Sequence, residues 1–373
     1  MIDKINKNSL KIDWITLLAM LFLFSIGITF LNSATSMREI DSQFESQIIK
    51  FIFGLLIMVV VTSINPVLIK KLTPNFYLVV VIMLAAVPFF GKNILGAKRW
   101  LDLYFIQIQP SELVKIAVPA MIAFIVSKIG SLDNMRKLLL TSFFIIVPIL
   151  LIMNQPDLGT SILILASSVA VIFCSGLTRR FLITSIVTSS IGCLIAFKYL
   201  IKDYQIKRIK TLFNPELDPM GSGYHVIQSK IAIGSGGFTG KGIKEGTQSQ
   251  LSFIPEQSTD FILAVFLEEA GFIGFIAMSI GFAILIGRLF YMTYKIQDIY
   301  AKLLSVSITT SLFIYCFVNI GMVIGILPVV GVPLPFFSYG GSSMLTTMLC
   351  IGMVMNFYKN RRLYQSKAIV KFK

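Results

Sequence analysis

Apolar stretches of about 18–22 residues recur along almost the whole chain, each long enough to cross a bilayer as a helix. They fall near residues 14–33, 47–64, 75–90, 109–128, 138–153, 158–177, 181–200, 259–289, 301–327 and 342–358. The fold class this predicts is an all-α polytopic membrane protein of about ten transmembrane helices. Composition agrees: 55% of the 373 residues are hydrophobic, 31 are Phe, and mean hydropathy is +0.82. A soluble core does not need that much apolar sequence. No period of 20–50 residues repeats and no linker sets off a soluble part, so residues 1–373 are read as one membrane-embedded domain.

Charged residues make up 14% of the chain, yet the formal net charge is +15. In a soluble protein that excess would suggest nucleic acid. Here it is assigned to topology-setting loops and an anionic lipid partner, with no nucleic-acid partner expected. Lys4, Lys7 and Lys11 precede an apolar run of spanning length with no convincing cleavage site, which predicts a retained first helix rather than a signal peptide. With that end inside, the short inner segments collect Lys70, Lys71, Lys128, Arg136, Lys137, Arg179, Arg180, Arg288, Lys295 and Lys302. An even number of spans then places both termini in the cytoplasm. It also puts a large extracytoplasmic loop, about 201–258, between helices 7 and 8. Cys174, Cys193, Cys316 and Cys350 lie apart in apolar runs without CxxC spacing and read as core residues.

The outward-facing polar regions carry nearly all the chemistry. In the first, Arg99 and Trp100 precede Gln109-Pro110-Ser111-Glu112-Leu113-Val114-Lys115. Proline suits a helix start, so Gln109 is a candidate cap, and Glu112 and Lys115 share a helix face. A neutralising ion pair is the ordinary explanation for those two, but charges inside spans are costly and tend to mark sites. The second is a short turn, Asn154–Thr160, where Asp157 reads as a helix N-terminal anion. The third is the loop 202–258, which sets Lys207, Arg208, Lys210, Lys230, Lys241 and Lys244 among many glycines. That composition suits close approach to phosphate, although a flexible basic loop accounts for it equally well, and the P-loop spacing is missing.

At its end stand Ser258-Thr259-Asp260, with Ser258 or Thr259 a candidate cap and Asp260 in the first turn of the next helix. Glu268 and Glu269 lie two turns deeper on that helix. Between the last two spans, Pro328, Pro333, Pro335 and Phe336-Phe337-Ser338-Tyr339-Gly340-Gly341 break the apolar pattern, which is tolerated where backbone lines a cavity. His225 is the single histidine, read as a loop residue beside Tyr224, so triad chemistry has little support. A cavity of carboxylates and cations open to lipid fits a substrate with a phosphate, sugar hydroxyls and an apolar tail. Asp260 would take a proton from a sugar hydroxyl, and Arg99, Lys115 or a divalent cation would stabilise a lipid pyrophosphate leaving group. A transporter would use similar groups.

At these residues the chain resembles the SEDS family (shape, elongation, division and sporulation). The segments Gly96–Trp100, Gln109–Lys115, Gln155–Thr160, Asn214–Gly242, Phe253–Gly271 and Asn319–Leu345 carry the likeness. The run from Asn319 to Ser343 is more similar to the elongation branch than to the division branch. The resemblance implies a ten-helix peptidoglycan glycosyltransferase in the bacterial cytoplasmic (inner) membrane, polymerising lipid II with its active site facing outward. A lipid II flippase and the division-type paralogue are the rival readings.

The resemblance also implies that Asp260 is catalytic and that Glu112 and Lys115 are functional. Arg99, Trp100, Gln109, Asp157, Arg208, Lys210, Lys241 and Ser338 are the expected substrate-binding residues. Implied partners are lipid II, a class B penicillin-binding protein transpeptidase and other elongation-complex membrane proteins. Mg2+ or Mn2+ is a candidate cofactor, and no organic cofactor is expected. The family usually has His-Thr-Asp where this chain has Ser258-Thr259-Asp260.

Overall fold

The computed structural model describes residues 12–36, 41–94, 97–102, 107–130, 132, 134–176, 203–218 and 221–361. Nine of the ten apolar windows lie on helices: α1 (Trp14–Thr35), α2 (Asp41–Ser63), α3 (Pro66–Phe90), α4 (Pro110–Ile129), α5 (Met135–Asn154), α6 (Leu158–Cys174), α10 (Ile262–Lys295), α11 (Ile299–Ile324) and α12 (Gly341–Lys359). The tenth window, 181–200, lies outside the described residues, as do Lys4, Lys7 and Lys11 of the N-terminal segment. Among the described residues, α1, α2, α3, α5, α10 and α11 are long and apolar enough to cross a membrane by length and composition. The protein is thus a mostly helical, multi-pass membrane protein.

Helix starts follow from local chemistry. Asn65 caps α3 ahead of Pro66, and Asn134 caps α5. Asp298 accepts from Ala301 N at 2.9 Å to cap α11. Asp13 caps α1 through Thr16 N at 3.0 Å and also accepts three hydrogen bonds from Arg288 of α10, the shortest at 2.6 Å. Each such cap satisfies an amide that has no partner within the helix. α4 is the central helix, packed by α3, α5, α6, α11 and α12. The outer faces keep Leu78, Ile82, Phe143 and Phe173 exposed, as a lipid-facing surface requires.

Two stretches expected as loops are ordered structure. Within 91–108 the described residues form a small three-stranded antiparallel sheet of β1 (Gly91–Ile94), β2 (Ala97–Asp102) and β3 (Gln107–Ile108), set beside an otherwise helical fold. The segment 201–258 folds into α7 (Asp203–Phe213), α8 (Ser222–Gly236) and α9 (Thr247–Gln250). α8 packs on α10 and α11, and Ser229 Oγ donates to Val323 O at 2.7 Å. Sequence patterning missed it because α8 buries small residues such as Gly223, Ser229 and Ala232 rather than an apolar stripe.

α10 is broken at Gly271, where φ is +64°. Residues 237–242 dock into that break. Lys241 N donates to Glu268 O and Gly242 N to Glu269 O, both at 3.1 Å, while Phe272 N and Ile273 N donate to Gly237 O and Phe238 O, both at 3.0 Å. The docked strand therefore replaces the helical partners lost at the break. The approach is so close that a Cβ on Gly271 would stand 2.3 Å from Gly240 N. Gly271→Ala should lower stability by more than about 2 kcal/mol through strain and clash together. Gly287→Ala, on the same helix with nothing within 4 Å of the new methyl, should be neutral or stabilising by up to about 1 kcal/mol. Thermal unfolding of the two variants in detergent checks the contrast.

Candidate active site

One cavity of about 290 Å³ gathers the polar elements at one end of the bundle. Its walls come from Arg99 and Trp100 on β2, Gln109, Glu112 and Lys115 at the start of α4, Asp157 and Thr160 at α6, and Tyr315 of α11. Glu256, Thr259 and Asp260 enter from the turn before α10, and residues 331–333 and 339–343 close the remaining side.

Asp260 precedes the first turn of α10 instead of lying in it. The cap position is Phe261, whose side chain makes no capping bond, so the capping account of Asp260, Ser258 and Thr259 is corrected. The tight turn is fixed by its backbone, with Thr259 N and Phe261 N both donating to Glu256 O at 3.1 and 3.2 Å. Asn319 of α11 then ties it down: its Nδ2 donates to Asp260 O at 3.0 Å and to Val332 O at 2.7 Å. The Asp260 carboxylate opens onto the cavity. Burial pushes its pKa up to about 6, the carboxylates of Glu256 and Asp157 push the same way, and Arg208 and Arg99 oppose them. A carboxyl in that range is well suited to taking a proton near neutrality.

Glu112 and Lys115 form the ion pair their spacing predicts, at 2.5 Å, each 8% exposed at the side chain. Lys115 Nζ also contacts Tyr315 Oη. Gln109 occupies the cap position of α4, but its side chain does not cap; it donates to Ser111 Oγ at 3.0 Å. Asp157 does cap its helix, through Thr160 N at 3.2 Å and Thr160 Oγ1 at 2.8 Å. Arg99 donates to the carbonyls of Gln155 at 3.1 Å and Pro156 at 2.6 Å, which holds β2 against the α5–α6 turn. Its charge still faces the cavity.

Other expected residues are placed elsewhere. Lys241 is committed to Glu268 at 2.8 Å and Thr247 at 2.7 Å, below the docked loop. Lys210 is exposed near the end of α7, away from the cavity lining. Arg208 does not line the cavity, although its charge acts on Asp260. Ser338 accepts from Leu334 N at 2.8 Å and braces the segment between α11 and α12. His225 is not a loop residue but part of α8, its ring 5.3 Å from that of Phe261, and burial lowers its pKa.

Sequence reasoning did not single out Tyr315, Gln47 or Asn319. Gln47 of α2 donates to Ser338 O at 3.0 Å and accepts from Gly340 N at 3.3 Å, while Tyr339 N donates to Ser258 O at 2.8 Å. A buried amide in an apolar helix, 0% exposed for Asn319 and 1% for Gln47, was the available signal.

The fold and this cavity define a polytopic membrane protein with an acid-and-base site at one end of its helix bundle. A family model described as "Cell cycle protein", covering FtsW, RodA and SpoVE, matches residues 8–363, and the chain belongs to that family. Peptidoglycan glycosyltransferase MrdB of Escherichia coli (strain K12) is 44% identical over 319 residues, 86% of each chain. The protein of the same description from Helicobacter pylori is 40% identical over 299 residues, 78% of this chain and 76% of that one.

Among solved structures, a chain from "Structural coordination of polymerization and crosslinking by a peptidoglycan synthase complex" matches with TM-score 0.82 and 27% identity. It covers 95% of this chain and 99% of that one. The crystal structure of the Thermus thermophilus rod shape determining protein RodA shares the fold, with TM-score 0.70 at 24% identity over 94% of this chain and 98% of that one.

Asn319→Leu keeps the volume but strands two buried carbonyls. It should destabilise by about 2–5 kcal/mol and displace the Asp260 turn. Thermal unfolding and catalytic rate, measured on one preparation, should fall together.

Proposed function

We infer that this chain is a peptidoglycan glycosyltransferase, and we propose that it polymerises lipid II at the outer face of the bacterial cytoplasmic membrane, in the elongation role. The relatives named above support the enzyme class. The observation that carries the catalytic assignment is the Asp260 carboxylate, open to a cavity that also holds Arg99 and the Glu112–Lys115 pair.

In this reading an acceptor sugar hydroxyl lies against Asp260, which removes its proton as the oxygen attacks the anomeric carbon of the donor. The bond from that carbon to the lipid diphosphate breaks on the opposite face, giving inversion, and the electron pair leaves with the diphosphate. Lys115 and Arg99 meet the charge that develops there. Glu112 fixes the Lys115 ammonium, and Trp100, Gln109 and Asp157 shape the remaining wall. The apolar helix faces around the bundle accommodate the lipid tail.

Among the described residues no three His, Cys, Asp or Glu side chains converge as a metal site. Mg2+ or Mn2+ enters the proposal only as an ion carried with the diphosphate, and no step is derived through it. The kinship with a chain from a synthase complex supports a crosslinking partner. We assign that partner as a class B penicillin-binding protein, within a larger set of elongation-complex membrane proteins.

Incubating the purified protein and its partner with labelled lipid II should yield glycan polymer resolved on a gel. Asp260→Asn should reduce the rate by about 10²–10⁴-fold, the usual worth of a general base. Polymerisation by Asp260→Asn at the wild-type rate would refute the assignment. The base works deprotonated, so the wild-type rate should climb with pH through about 6. An unshifted aspartate would already be fully active by about pH 5. A rate profile flat from pH 5 to 8 would count against Asp260 as the base.

A further inference from the structure

Tyr315 stands where the polar cavity adjoins a second, mostly apolar pocket bounded by Ile308, Leu312, Cys350 and Ile351. Glu112, Lys115 and Tyr315 line both spaces. The Lys115 ammonium therefore sits on a border, with carbon on one side and the reaction cavity on the other. It donates to Glu112 Oε1 at 2.5 Å and contacts Tyr315 Oη, and it stands 4.6 Å from the centroid of the Tyr315 ring.

An ammonium has three donors and no acceptor, carried on a flexible four-carbon stem. One carboxylate on the same helix fixes its charge but not its direction. Tyr315 adds a second point of attachment from a different helix, on a side chain only 9% exposed and therefore held by packing. With two donors occupied by Glu112 and Tyr315, the third is the one a ligand oxygen in the cavity can take. The ring meanwhile covers the apolar side of the pair.

We propose that Tyr315 is the positioning residue for Lys115: its hydroxyl accepts a hydrogen bond from one ammonium N–H and its ring closes the apolar side, which aims the remaining N–H at the diphosphate oxygen that gains charge during transfer. This rests on the glycosyl-transfer reading above. An interaction that strengthens only as the leaving group departs changes kcat and leaves KM nearly untouched.

The test is a double-mutant cycle in the labelled lipid II assay with the full-length protein and its partner. Tyr315→Phe should lower kcat about tenfold, the scale of one hydrogen bond to a charged group, with KM within about twofold and the melting temperature in detergent unchanged. Lys115→Met should lose more, and adding Tyr315→Phe to it should cost nothing further. Tyr315→His, which keeps a ring and an acceptor, should recover most of the rate. Wild-type kcat in Tyr315→Phe overturns the proposal, as do losses that multiply in the double variant or a rate loss that tracks a fall in melting temperature without rescue by His. Asp260→Asn is run alongside: if it polymerises normally, the base assignment fails there, whereas failure of the Tyr315 inference shows only within the cycle.

Discussion

Every backbone amide and carbonyl at membrane depth must find a partner inside the protein, and this constraint governs where the helices can break. Unbroken helices meet it by themselves but leave no place for a site. Among the described residues the bundle is interrupted at Gly271 and between α11 and α12, and the two interruptions are repaired differently. At Gly271 the repair is backbone, with residues 237–242 exchanging hydrogen bonds with the exposed groups of α10. Between α11 and α12 it is side chain, through Asn319, Gln47 and Ser338. The second repair borders the cavity directly, through residues 331–333 and 339–343.

The reacting carboxylate illustrates the result. Asp260 is immobilised through its main chain, by the Glu256 turn and the Asn319 amide, while its carboxylate opens onto the cavity. Supporting groups therefore need not compete with a substrate for the carboxylate oxygens. The opposite holds for the cations: Arg99 and Lys115 are held by their charged groups, on carbonyls in one case and on Glu112 and Tyr315 in the other. A long flexible side chain needs such fixing before its charge has a direction.

Much of the scaffold was legible in the sequence. Apolar windows marked nine helices because the bilayer sets a minimum length of apolar chain. The Glu112–Lys115 pair was legible because three residues on a helix bring side chains together regardless of the rest of the fold. The helices of the 201–258 segment were not, since they bury small residues and backbone rather than an apolar stripe. Lys241 was misplaced for a related reason. Its partner Glu268 is 27 residues away, and only the docking of the loop into the Gly271 break brings them together.

The sequence by itself determined a multi-pass helical protein of this family, the acids and cations available to it, and the pairs that local geometry forces. Those properties depend on neighbours within one helical turn or on the length of an apolar run. The tertiary structure alone decided which charges share a cavity. It drew in Tyr315 and left out Lys241, and it placed Asp260 ahead of its helix with its carboxylate on the cavity. Such choices depend on how separate helices pack, and packing is set by contacts between residues far apart in the chain.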